Sequence, residues 1–167
     1  MKKIFLLLFV FSLLGCEKDD ICDENTPTTP RLIIEFYDFT ASTETLKNVS
    51  NLGIVAPPLT EGLGFSAVNK IQVPLKTNAE STTFSFIQNG TDTDLTNDNE
   101  DVLEFNYTTR EVYVSRACGF KTLFTLKQTN PIVTAEPFSS PSSWIKNIVI
   151  VKPNLENENE VHVKIFF

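Results

Sequence analysis

Short stretches of alternating apolar and polar residues run through the chain from Leu32 to Phe167. Alternation with a period of two is typical of a half-buried β-strand, and no segment of ten or more residues keeps the period of an amphipathic helix. The pattern predicts eight or nine short strands. They cover approximately residues 32–39, 46–55, 70–75, 82–88, 102–108, 111–115, 120–128, 144–152 and 160–167.

Polar turns separate these stretches. Asn89-Gly90 is a strong hairpin-turn signal, and the short Thr108-Thr109-Arg110 segment predicts a second hairpin between its two neighbouring strands. Pro74 donates no ladder hydrogen bond, so its strand is an edge or is broken there. We therefore predict an all-β fold, an antiparallel β-sandwich with immunoglobulin-like or transthyretin-like connections, and keep a closed β-barrel as the alternative.

The composition agrees with a sheet protein. The 167 residues include 19 Thr and 14 Phe but only 6 Ala, and Thr and Phe favour strands whereas Ala favours helices. This length suffices for one domain with a core of its own.

The first sixteen residues have the character of an export signal. Lys2 and Lys3 precede Ile4–Leu14, eleven uncharged residues that are too short to cross a bilayer as a helix. The run ends in Leu13-Leu14-Gly15-Cys16, which resembles the bacterial lipobox and implies acylation of Cys16. An ordinary secretory signal is the alternative. We expect a signal peptide at 1–15, a lipidated tether at 16–30, and a single β-sandwich domain at 31–167.

The residues after Cys16 carry a second short motif. Lys18-Asp19-Asp20 resembles the export signal of Bacteroidetes lipoproteins, in which a Lys and two acidic residues follow the lipidated Cys. The resemblance implies an outer-membrane lipoprotein displayed at the cell surface. A periplasm-facing lipoprotein with a polar tether is the alternative.

If Cys16 is lipidated, two cysteines remain, Cys22 and Cys118. An even remainder in an oxidising compartment predicts one disulfide, and two free thiols are the alternative. The bridge would join the end of the tether to the body of the domain, with Cα atoms about 4.4–6.8 Å apart.

Several longer segments resemble a family of small flavobacterial lipoproteins of unknown function. They are the lipobox with its Cys16 and Cys22 pair, and residues 29–38, 112–121 and 157–167. The resemblance implies an envelope lipoprotein and carries no activity with it.

Charge and side-chain chemistry narrow the function further. The formal net charge is −7 with only three Arg, so we expect no nucleic-acid partner. His162 is the single histidine and is expected on the outer face of the last strand, without a catalytic role. We expect no cofactor and no resident metal. The weak exception is an acidic loop that offers calcium-type oxygen ligands at Asp92, Asp94, Asp98 and Asp101.

The aromatic residues are expected mostly in the core. This group comprises Phe36, Tyr37, Phe84, Phe86, Phe105, Tyr107, Phe120 and Phe124, whereas Trp144 is the best candidate for an exposed contact. We expect a non-enzymatic, lipid-anchored binding module with the membrane and an envelope protein as partners. The alternatives are a structural accessory subunit of an outer-membrane β-barrel complex and, with less support, a glycan-acting hydrolase whose catalysts are carboxylates.

Overall fold

A computed structural model of the protein describes residues 21–167. Within that range the chain forms eleven β-strands and no helix. The strands are β1 (Leu32–Tyr37), β2 (Val49–Val55), β3 (Leu63–Val68), β4 (Lys70–Val73), β5 (Ser81–Gln88), β6 (Asn99–Ser115), β7 (Gly119–Leu126), β8 (Ile132–Thr134), β9 (Asn147–Ile150), β10 (Asn154–Leu155) and β11 (Val163–Phe166).

The strands form two sheets that pack face to face. The small sheet has the order β4-β1-β11-β9, and the large sheet has the order β10-β7-β6-β5-β2-β3, with β8 also paired to β6. The predicted β-sandwich is thus confirmed, and the described strands do not close into the barrel kept as the alternative. No helix that is long and apolar enough to cross a membrane occurs among residues 21–167.

One pair of strands departs from the predicted antiparallel arrangement. The first and last strands, β1 and β11, are parallel neighbours in the centre of the small sheet, with Ile34 opposite Val163. Parallel neighbours need a crossover connection. Here every strand of the large sheet lies between β1 and β11 in the sequence. The sequence pattern of a βαβ unit, a helix between two strands, is therefore absent, and the parallel pairing is not predicted.

Apolar residues from both inner faces fill the space between the sheets. Leu32, Ile34 and Phe36 of β1 are fully buried against the large sheet's Phe86, Leu103 and Phe105. The core-facing side chains occupy every second position of β1, β5 and β6, and this period is the reason that the sequence pattern identifies the three strands.

The predicted hairpin at residues 108–110 is wrong. Residues 99–115 form one strand of 17 residues, and the turn lies instead between Ser115 and Gly119. Thr108 and Thr109 favour strands, and the segment has no Gly or Pro to end one. At the observed turn, Gly119 has a φ of +69°, a value that glycine adopts without strain. Three short strands, β3, β8 and β10, also lie outside the predicted segments.

The end of the β6–β7 hairpin extends past the small sheet. Along one face of β6, Leu103, Phe105 and Tyr107 are fully buried, whereas Tyr113 on the same face is 59% exposed. Its cross-strand partner Phe120 is 66% exposed, so the expectation that Phe120 belongs to the core is wrong. The alternation is correct, but no second layer of the described chain covers this pair.

Candidate functional site

The predicted lipidation and sorting residues lie outside the described range. These residues are Cys16, Lys18, Asp19 and Asp20. The described part of the tether begins at Ile21. The structure therefore describes how the tether is attached to the domain.

A disulfide joins this tether to the tip of the β6–β7 hairpin. Cys22 and Cys118 are bonded, with their Cα atoms 4.9 Å apart and 96 positions of separation in sequence. The predicted pairing is confirmed. Cys118 lies in the turn, where its backbone N–H donates to the Ser115 hydroxyl at 3.0 Å.

Beyond the disulfide, the tether runs along the outer edge of β7 to the start of β1. The Thr122 amide donates to the Thr29 hydroxyl at 3.0 Å, and Pro30 is buried. The Arg31 guanidinium then forms a bidentate ion pair with the Glu158 carboxylate, with Nε–Oε1 and Nη2–Oε2 distances of 2.8 and 2.6 Å. This pairing lowers the pKa of Glu158. The described part of the chain before β1 is thus attached to the domain at Cys22, Thr29 and Arg31.

His162 lies in the interior and not on the outer face that the sequence predicts. Its Nδ1 accepts a hydrogen bond from the Ile33 amide at 3.0 Å, and its own amide donates to the Ile33 carbonyl at 3.1 Å. Apolar surroundings lower the pKa of His162 from its usual 6.5, although Glu160 and Glu158 act in the opposite direction. The imidazole is therefore neutral, because Nδ1 must be unprotonated to accept the hydrogen bond from the Ile33 amide. This bond holds β1 against the segment that contains His162.

The acidic loop does not bring its carboxylates to one point. Asp92 and Asp94 bind nearby turn amides, namely those of Asp94 and Thr96 at 2.8 and 3.1 Å. Asp101 faces another segment, where it accepts from the Ser143 hydroxyl and the Ile145 amide at 3.0 and 2.8 Å. Asp98 is exposed on the loop. Among residues 21–167 no group of three or more acidic, His or Cys side chains is arranged to hold a metal ion.

An acidic cleft of about 250 Å³ lies beside this segment, with Asp101, Glu100 and Glu136 among its lining residues. Hydrogen bonds from the Ser142 and Ser140 hydroxyls lower the pKa of Glu136. A glycosidase general acid requires the opposite shift, because it must stay protonated near neutral pH. Glu136 therefore has a pKa shifted away from what that acid requires.

Trp144, the candidate for an exposed contact, is a core residue. Its ring stacks on Phe36 with centroids 6.3 Å apart and meets the edge of Phe167 at 5.5 Å. The indole N–H donates to the Phe86 carbonyl at 3.0 Å. Trp144 therefore links the two sheets.

The exposed aromatic pair that sequence reasoning missed is Tyr113 and Phe120. Their rings meet edge to face, with centroids 5.4 Å apart, beside the disulfide. Ile21 and Tyr113 line the same open cleft at the hairpin tip. The sequence signal for this surface is that Phe120 lies two residues after Cys118. That proximity places Phe120 beside the tether once Cys118 is known to be bonded to Cys22.

Opening the disulfide tests how the tether is held. Replacing both Cys22 and Cys118 by Ser is expected to lower the free energy of unfolding by about 2–4 kcal/mol, because the unfolded chain loses a long covalent loop. The sheets should persist, because the buried core contains neither residue. Urea unfolding followed by far-ultraviolet circular dichroism measures the loss.

The matched control is the unaltered chain in a thiol reductant, which should reach the stability of the double variant. The double variant itself should not respond to the reductant. A change below about 0.5 kcal/mol, the scale of an ordinary surface substitution, would contradict the prediction.

A family model described as a family of unknown function (DUF6452) matches residues 60–167, which include the hairpin and Cys118. Comparisons with curated proteins and with solved structures give no match.

Proposed function

We propose that this chain, which belongs to the DUF6452 family of unknown function, is a lipid-anchored cell-envelope protein. In this proposal it acts as a non-enzymatic binding module. The observation that carries the proposal is the disulfide between the tether and the hairpin tip. A covalent link six residues after an acylated Cys16 would give the domain a defined orientation on the membrane. A flexible linker would not provide such an orientation.

The proposed location follows from the sequence motifs. Acylation of Cys16 would give two or three hydrocarbon chains, and more than one chain is needed for stable anchoring. Lys18-Asp19-Asp20 would direct the lipoprotein to the outer membrane and its exposed face, as in the Bacteroidetes lipoproteins whose export signal these residues resemble. A Cys pair that is oxidised supports an exported protein, because disulfides persist outside the cytoplasm.

The roles of the polar side chains favour binding over catalysis. His162 accepts the Ile33 amide and is neutral, so it already has a structural partner. Asp101 holds the Ser143 and Ile145 segment in place. These hydrogen bonds stabilise the sandwich. They also use the acceptor atoms of His162 and Asp101 that a general base would need to activate a nucleophile.

Co-purification from detergent-solubilised outer membrane tests the proposal. We expect a protein or surface ligand that is recovered with the full acylated chain at constant stoichiometry. The matched control bait carries residues 1–30 fused to an unrelated fluorescent protein, so that it has the same proposed anchor without the sandwich. A partner recovered equally with both baits, or no partner, would contradict the binding role. A barrel protein at one-to-one stoichiometry would identify the accessory subunit instead.

A further inference from the structure

The exposed aromatic pair has an origin in the architecture of the large sheet. Tyr113 and Phe120 continue its inner face, but they lie beyond the last residues that the small sheet covers. Tyr113 is 59% exposed and Phe120 is 66% exposed, and Ile21 at the start of the described tether is 79% exposed. Three large apolar side chains therefore face outward at the hairpin tip.

The length of the tether places this tip close to the proposed anchor. Cys16 precedes Cys22 by six residues, which span at most about 20 Å when fully extended. Cys22 is bonded to Cys118, two residues before Phe120. The aromatic pair therefore stays near an acylated Cys16, whichever path the intervening residues take.

The hairpin also differs in charge from the rest of the protein. Residues 107–126 contain three basic side chains, Arg110, Arg116 and Lys121, against one acidic side chain, Glu111, in a chain with a net charge of −7. In the described part of the chain none of these three cations forms an ion pair. Asp23 and Glu24 of the tether cancel the net charge of the hairpin, so the aromatic side chains provide the main contact.

We infer that the hairpin tip is a second, non-covalent membrane contact, in which Tyr113 and Phe120 enter the interfacial layer of the bilayer beside the acylated tether. Aromatic side chains flanked by Arg and Lys suit this layer, because the rings leave water while the cations reach the headgroups. Two side chains bind weakly by themselves. The tether makes the contact intramolecular and so raises its effective concentration. This inference rests on the proposed lipid anchor.

The test uses the full acylated chain in vesicles of phosphatidylethanolamine and phosphatidylglycerol, with part of the acyl chains brominated. Bromine quenches tryptophan fluorescence at short range. Phe120→Trp places a reporter at the tip, where its exposed position makes the substitution compatible with the fold. Leu95→Trp is the matched control, because Leu95 is 78% exposed in the loop that precedes β6, whereas the tip follows the other end of that strand.

We expect bromolipid to quench the emission added by Phe120→Trp at least twofold, and to leave the emission added by Leu95→Trp nearly unchanged. The buried Trp144 supplies a common background that the unaltered chain measures. Adding Cys22→Ser and Cys118→Ser should reduce the quenching at position 120, because the tip is then held less firmly to the tether.

Equal quenching at both positions, or none at position 120 in an acylated chain, would overturn the membrane contact and leave the anchor intact. Failure of the chain to become acylated would instead overturn the proposed function. Shielding of position 120 in native outer membrane, without quenching in vesicles, would identify a protein as the occupant and would also overturn the inference.

Discussion

Replacing Cys16 by Ser is expected to abolish palmitate labelling of the chain and to remove it from the outer membrane. A serine hydroxyl cannot form the thioether through which a lipobox cysteine is diacylated. Each buried methylene group contributes about 0.8 kcal/mol to membrane binding, so the loss of two or three acyl chains removes nearly all of the affinity. The two aromatic side chains at the hairpin tip are too few to replace it.

The measurement is metabolic labelling with palmitate, followed by fractionation of the envelope. Cys22→Ser is the matched control, since it removes a neighbouring thiol that the structure assigns to the disulfide. That control should keep its label. A labelled Cys16→Ser chain in the outer membrane would show that the anchor lies elsewhere.

Replacing Trp144 by Ala is expected to lower the free energy of unfolding by about 3–5 kcal/mol. The substitution empties a buried site between the sheets, where the indole contacts Phe36 and Phe167. It also removes the donor to the Phe86 carbonyl. Domains of this size are stable by about 5–15 kcal/mol, so the loss is a large fraction of the total.

Urea unfolding followed by far-ultraviolet circular dichroism measures this effect. Trp144→Phe keeps an aromatic ring but not the N–H donor, and we expect a smaller loss of about 1–3 kcal/mol. The matched control is Phe120→Ala, which should change stability by less than about 0.5 kcal/mol because that ring is mostly in solvent. A larger loss from Phe120→Ala than from Trp144→Ala would contradict the burial that the structure describes.

These two aromatic residues show how far the sequence pattern reaches. The alternation of Phe120 with its neighbours correctly identifies the face of β7 on which it lies. Alternation carries no information on whether another layer covers that face at that position. Trp144 presents the opposite case, because it follows a Ser- and Pro-rich stretch outside any strand, yet Asp101 holds its segment against the core.

His162 was misplaced for a related reason. Its neighbours Val161 and Val163 predict that it points away from the core between the sheets, and Val163 does belong to that core. Whether the opposite side is exposed depends on segments that are distant in sequence. Here Ile33 and the residues around Glu158 and Glu160 enclose the imidazole, which no local pattern could indicate.

The sequence by itself determined the all-β class and most of the strand faces, because side-chain alternation is a local property of an extended backbone. It also predicted the disulfide, because only one pairing is open to the two cysteines other than the proposed lipidation site Cys16. Only the tertiary structure decided where β6 ends, the parallel pairing of β1 with β11, and the exposure of Tyr113 and Phe120. Each of these depends on which layers of the chain meet, and that is set by packing between residues far apart in the sequence.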